Sequence, residues 1–172
     1  MKNFRFFYIF ATVTLLFICM TPSFIKGQGQ PPVTPTIVSA DEIMSNNSYV
    51  AKLALDLQPT IFINENDRFL YGSNNFSVLE CPYSKISQLY DEEEIFSTVQ
   101  LIKIKIAENP DEFTLDLDNL QSFPQLRYVW LMYLYDVCDN ETDVCILEKI
   151  QNSIYSENED MTIIYNISIS QR

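Results

Sequence analysis

The 172-residue chain contains no histidine, which removes the base of Ser/His and Cys/His nucleophilic systems and the commonest ligand of catalytic zinc. Glycine is nearly as scarce. Of Gly27, Gly29 and Gly72, only the last stands in the body of the chain, so no glycine-rich loop can cradle a phosphate. Basic residues number 11 against 23 acidic ones, for a formal net charge of −12. A field of that sign repels nucleic acid and anionic membrane surfaces, and no basic run offsets it. Paired carboxylates could in principle serve a glycosidase, but 23 acids make any one pair undistinguished. No catalytic residue, metal site or cofactor is expected.

What is present begins with a leader. Lys2 and Arg5 precede the apolar run Phe6 to Met20, which is short for a membrane span and diluted by Thr12, Thr14, Thr21 and Pro22. This pattern reads as a signal peptide over residues 1–29, cleaved before Gln30 because Gly27 and Gly29 supply the small residues required, with a cut after Ser23 as the alternative. The protein is then secreted or periplasmic, without a membrane span in its mature chain. Cleavage removes Lys2, Arg5 and Lys26 and no acid, leaving 8 basic and 23 acidic residues and a charge of −15. About 143 residues suffice for one domain burying roughly 68% of its unfolded surface. Gln30 to Asn47, with Pro31, Pro32 and Pro35, reads as an extended tether, and residues 48–172 as a single globular domain.

An exterior compartment permits disulfides. Cys138 and Cys145 enclose only DNETDV, a loop that closes cheaply, and they are expected to pair. Cys81 is left over, either buried as a small apolar residue or available between molecules. Sequons stand at Asn46, Asn75, Asn140 and Asn166, of which Asn166, inside an expected strand, is the least credible acceptor.

The most hydrophobic stretch is FPQLRYVWLMYLYD, Phe123 to Asp136. Its β-branched and aromatic residues predict a strand near 127–135, and both faces are apolar, as in an inner strand of a covered sheet. Val129, Leu131 and Tyr133 are expected to be buried in any fold. VQLIKIKI alternates strictly and predicts a strand near 99–106, and TIIYNISI another near 161–169. Thr60 to Tyr71 reads as a hairpin, TIFI and RFLY around NEND. Ser84 to Tyr90 suggests a helical turn, and Asp91 with Glu94 a capping box. Val144, Leu147, Ile150 and Ile154 recur at helical spacing, predicting a helix near 143–155 capped by Thr142 or Asp143. Two acidic groups, Asp91 to Glu94 and Asp136, Asp139, Glu141 and Asp143, could be metal sites or solvated surface. The second lacks the glycine and terminal glutamate spacing of an EF-hand loop, and clustered acids such as the first are usually a solvated face.

Phe96, Val99, Ile102 and Ile104 recur 27 residues later as Phe123, Leu126, Val129 and Leu131, and Leu117 and Leu120 extend the spacing upstream. Over residues 86–136 this resembles a leucine-rich repeat. Leu134 stands where that family places an asparagine, and Tyr90 and Glu93 where it places leucines. The resemblance implies an α/β scaffold of short parallel strands with crossovers on one side. The concave side would then carry Leu101, Lys103 and Lys105, next to them Tyr128, Trp130 and Met132, then Ile164, Asn166 and Ser168, with Lys103 beside Trp130. If open, Lys103, Lys105, Tyr128, Trp130 and Met132 form a binding surface for protein or polysaccharide. If the N-terminal segment or a helix lies over them, they are ordinary core, as the two-faced apolarity favours. The expected function is a secreted, non-catalytic interaction module, or alternatively an acidic inhibitor or immunity-type protein acting on a basic partner.

Overall fold

The computed structural model describes residues 35–108, 113–138 and 143–168. In chain order these form β1 (Thr36–Ser39), α1 (Ala40–Asn46), α2 (Ser48–Leu55), β2 (Thr60–Ile63), β3 (Arg68–Tyr71) and β4 (Val78–Pro82). After 3-10 segments at Tyr83–Tyr90 and Glu94–Phe96 come β5 (Leu101–Ile106), β6 (Leu115–Asp116), β7 (Tyr128–Tyr133), α3 (Asp143–Ser153), β8 (Ile154–Tyr155) and β9 (Thr162–Ile167). The fold is mixed α/β. Seven strands make one sheet in the order β1-β9-β7-β5-β4-β2-β3, parallel throughout except where β3 returns antiparallel to β2. β6 and β8 form a separate two-residue parallel pair.

The three expected strands are present, trimmed at their ends. Val129 of β7 lies between Ile102 of β5 and Ile163 of β9, offsets of 27 and 34 residues. At the start of each pairing, backbone bonds tie neighbouring strands together, among them Gln100 N to Ser77 O (2.9 Å), Arg127 N to Gln100 O (3.1 Å) and Thr162 N to Arg127 O (2.9 Å). The 27-residue pair Phe96 and Phe123 stacks at 4.7 Å between centroids.

Each strand sends alternate residues to two different cores. On one face Ile104, Leu131 and Ile163 meet the connecting segments, which contribute Leu89, Phe96, Leu120, Phe123, Ile146 and Ile150. Val129 and Leu131 are fully buried and Tyr133 nearly so. Cys81 is a buried free thiol in this core. The other face carries a smaller core in which Ala40, Val50, Leu53 and Ala54 of α1 and α2 cover Val78, Leu101, Trp130 and Ile164.

Residues 36–46 correct the expectation of a tether. Thr36 to Val38 is a β-branched run suited to a strand, and β1 pairs in parallel with β9. Ser39 then caps α1, its Oγ accepting from Glu42 N at 3.3 Å, and Asn47 caps α2 through Tyr49 N and Val50 N. Ser39 with Glu42 is a capping-box pattern, a signal that the proline density upstream obscures. At the other proposed box, Asp91 caps nothing. It follows the first 3-10 segment, while Ser122 Oγ accepts from Glu93 N and donates to Asp91 O, each at 3.1 Å.

The C-terminal helix stops at Ser153, and Ile154 belongs to β8. Of its expected stripe, Leu147, Ile150 and Ile154 pack on the core, whereas Val144 is 60% exposed and Ile146 is buried in its place. The cause is the disulfide. Cys138, itself buried, is bonded to Cys145, which turns that side of the helix toward the core, where Lys149 Nζ donates to Val137 O (2.8 Å). The expected cap at Thr142, the sequon at Asn140 and the acids Asp139 and Glu141 lie outside the described residues.

Candidate binding groove

The α1–α2 side of the sheet is organised by one transverse row. From edge to edge it reads Val38, Ile164, Trp130, Lys103, Glu80, Phe62 and Phe69. Lys103 lies beside Trp130, as the repeat offset requires, but the surface around them is not open. Trp130 is only 9% exposed, and Tyr128 and Met132 are half-buried against the helical cover. The reading of Tyr128, Trp130 and Met132 as an exposed binding face is therefore corrected for its central residue. The β1–α1–α2 segment buries an apolar strand face that solvent would otherwise reach. The indole keeps a polar partner in place of water, Nε1 donating to Asn166 Oδ1 at 2.7 Å, and Asn166 Nδ2 donates in turn to Ser168 Oγ at 2.7 Å.

At Lys103 the cover ends. Its Nζ donates to Ala54 O at 2.6 Å, where a cation suits the C-terminal turn of α2, and it sits 5.4 Å from the Trp130 ring centroid. Burial lowers its pKa, against the raising effect of Glu80 and with a smaller lowering from Lys105. Lys105 is more exposed and forms an ion pair with Glu80. Of the five candidates, Lys105 is exposed, Lys103, Tyr128 and Met132 are half-buried, and Trp130 lies beneath the helices.

Beyond them lies a groove of about 430 Å³ lined by Leu57, Phe62, Phe69, Tyr71, Glu80 and Lys103, among others. Its floor follows from the hairpin register. Phe62 faces Phe69 and Thr60 faces Tyr71, so the aromatic residues project on one side, and Phe62 and Phe69 stack at 4.6 Å with an 11° interplanar angle. Its wall is the link from α2 to β2, held by Gln58 Nε2 donating to Lys52 O (3.2 Å) and Thr60 Oγ1 donating to Gln58 O (2.8 Å). The end of the hairpin is pinned against this wall by Gly72, at φ +93°, where a Cβ would stand 2.9 Å from Pro59 Cα. Only glycine meets both demands comfortably.

Phe69 and Tyr71 are 48% and 46% exposed, and the sequence reading missed both as site residues. The hairpin placed Phe62, Phe69 and Tyr71 on one face, but nothing in the sequence said where the cover over that face would stop. The groove offers aromatic planes, an aliphatic wall, an amine and a carboxylate, which suits binding. Among the described residues no cluster of three or more potential ligands could hold a metal ion, and no helix is long and apolar enough to cross a membrane. No family model, curated protein or solved structure matches the chain.

Proposed function

We propose that the protein is a secreted or periplasmic, non-catalytic interaction module, built on a short leucine-rich-repeat-like scaffold, that binds a protein or polysaccharide through the groove beside α2. The observation carrying this reading is the stacked Phe62–Phe69 pair with Tyr71, left half exposed next to Lys103 and Glu80 on a sheet whose remaining central positions are covered on both faces. Large aromatic side chains exposed together are unfavourable in isolation and typical of binding sites. The repeat-like reading is supported by the 27-residue register between β5 and β7 and the stacked Phe96 and Phe123. The Cys138–Cys145 disulfide suits an oxidising compartment. The test is capture from the native exterior by the wild-type protein and by Phe69→Ala/Tyr71→Ala. Both substituted side chains are near half exposed, so the melting temperature should change little while a specific partner is lost. Equal capture by both proteins overturns the groove.

The net charge of −12 favours a second reading, an acidic inhibitor or immunity-type protein directed at a basic partner. An association rate that falls steeply with ionic strength selects it, because long-range steering is screened beyond roughly 8 Å at physiological salt.

A further inference from the structure

β3 is the last strand of the sheet, and its backbone has an open side. Asn64 N donates to Asp67 O at 2.8 Å, so these two residues form the hydrogen-bonded pair that closes the hairpin. Bonded and non-bonded pairs alternate along an antiparallel ladder. By the register, Phe62–Phe69 and Thr60–Tyr71 are then bonded, whereas Ile63–Arg68 and Ile61–Leu70 are not. The N–H and C=O of Arg68 and Leu70 therefore point away from β2, to a side where no further strand lies among the described residues.

Only part of the usual protection of an edge is present on this strand, its four-residue length and the single charge of Arg68. It has no proline, and its sequence RFLY places three large apolar side chains, each 46–49% exposed, along the open border. Phe69 and Tyr71 at the same time line the groove. Charge selects the occupant. The turn carries Glu65, paired with Lys85 at 3.5 Å, and Asp67, and Arg68 is tied to Glu93 within the run Asp91 to Glu94, so acids still outnumber bases around this end of the strand. In a chain of net charge −12, a second copy would bring its own negative field to the contact, and a basic chain would be attracted to it.

From these features we infer that β3 takes up an extended, basic segment of a partner protein as an eighth strand. This proposal rests on the groove reading and narrows it to a peptide partner. The backbone of the segment bonds to Arg68 and Leu70, its apolar side chains on one face extend the aromatic floor beside Phe69 and Tyr71, and its lysines or arginines meet the surrounding acids.

The test uses the full chain and a fluorescein-labelled octapeptide of alternating lysine and valine, followed by fluorescence anisotropy at low salt and by amide hydrogen exchange. Binding should slow exchange of the Arg68 and Leu70 amides. Leu70→Pro removes one outward donor, a change edge strands tolerate, and should weaken binding about tenfold at an unchanged melting temperature. Absence of binding, or binding that leaves both amides unprotected in the wild type, overturns the proposal without recourse to any variant. So does protection of those amides in the free protein, whether by a second copy or by the chain's own N-terminal residues. If Phe69→Ala weakens binding and Leu70→Pro does not, the groove stands and the edge falls; if neither matters, both fall.

Discussion

Cys81 makes the stability of this fold dependent on alkaline pH in a way that can be isolated. The thiol sits on β4 opposite Ile104, 1% exposed, and burial, reinforced by the Glu80 charge, pushes its pKa from 9.0 up to about 12. Because the folded pKa is the higher one, the folded state retains a proton that the unfolded chain releases. The associated stability is fully present below pH 9 and is lost as the pH rises from 9 to 12. At pH 11 the unfolded thiol is two pH units above its pKa while the folded thiol is still largely protonated. At 1.36 kcal/mol per unit, the loss is on the order of 2–3 kcal/mol. Tyr90, Tyr133 and Tyr135, raised chiefly by burial, add to the alkaline loss. Lys103, lowered chiefly by burial, acts oppositely between its folded value and 10.5. All four are common to the wild type and to Cys81→Ala, whose own packing cost does not depend on pH. The measurement is urea unfolding at pH 8 and pH 11, read by the fluorescence of Trp130, the single tryptophan. The wild type should lose on the order of 2–3 kcal/mol more than the variant between the two conditions. Equal losses refute the assignment of a buried, neutral thiol.

Two further outcomes follow from single contacts. Gly72→Ala should lower stability by about 1–2 kcal/mol from the positive φ alone, and further from the 2.9 Å approach to Pro59. A thermal melt equal to that of the wild type would mean the link between α2 and β2 moves freely. Asn166→Ala leaves the Trp130 indole N–H without its 2.7 Å partner and should cost about 1–3 kcal/mol. Acrylamide should barely quench Trp130 in the wild type, and strong quenching there would show that α1 and α2 do not stay docked.

The parallel core was legible because its signals are local and repeated. VQLIKIKI and RYVWLMY alternate with period two, and the identity of spacing in Phe96, Val99 and Ile102 against Phe123, Leu126 and Val129 contained the register itself, since Ile102 does lie beside Val129. The pairing of Cys138 with Cys145 was legible from loop length. The exchange of Val144 for Ile146 at the start of the following helix was not, because the two are equally apolar and the direction of the disulfide chooses between them. The N-terminal segment failed for a related reason. Proline at residues 31, 32 and 35 argues for extension, and whether TIVS then becomes a strand depends on β9, a partner 126 residues away at Thr36–Thr162.

The position of the groove depends on the same kind of remote information, and once the register is known it follows from solvation. The row Val38, Ile164, Trp130, Lys103, Glu80, Phe62, Phe69 is apolar, then charged, then aromatic. A helical cover can extend over its first three members and gain from their burial. It cannot extend over Lys103 and Glu80 without stripping water from both charges, a cost that pairing seldom recovers in full. α2 accordingly ends where Lys103 can reach the carbonyl of Ala54, and Glu80 is left to pair with the more exposed Lys105. Phe62, Phe69 and Tyr71 are then stranded beyond the charges, too far along the row to join the covered core. Trp130, the largest apolar side chain among the first members of the row, gains most from the cover and is buried under it. The residues available to a partner are the aromatic ones that the charged pair separates from it.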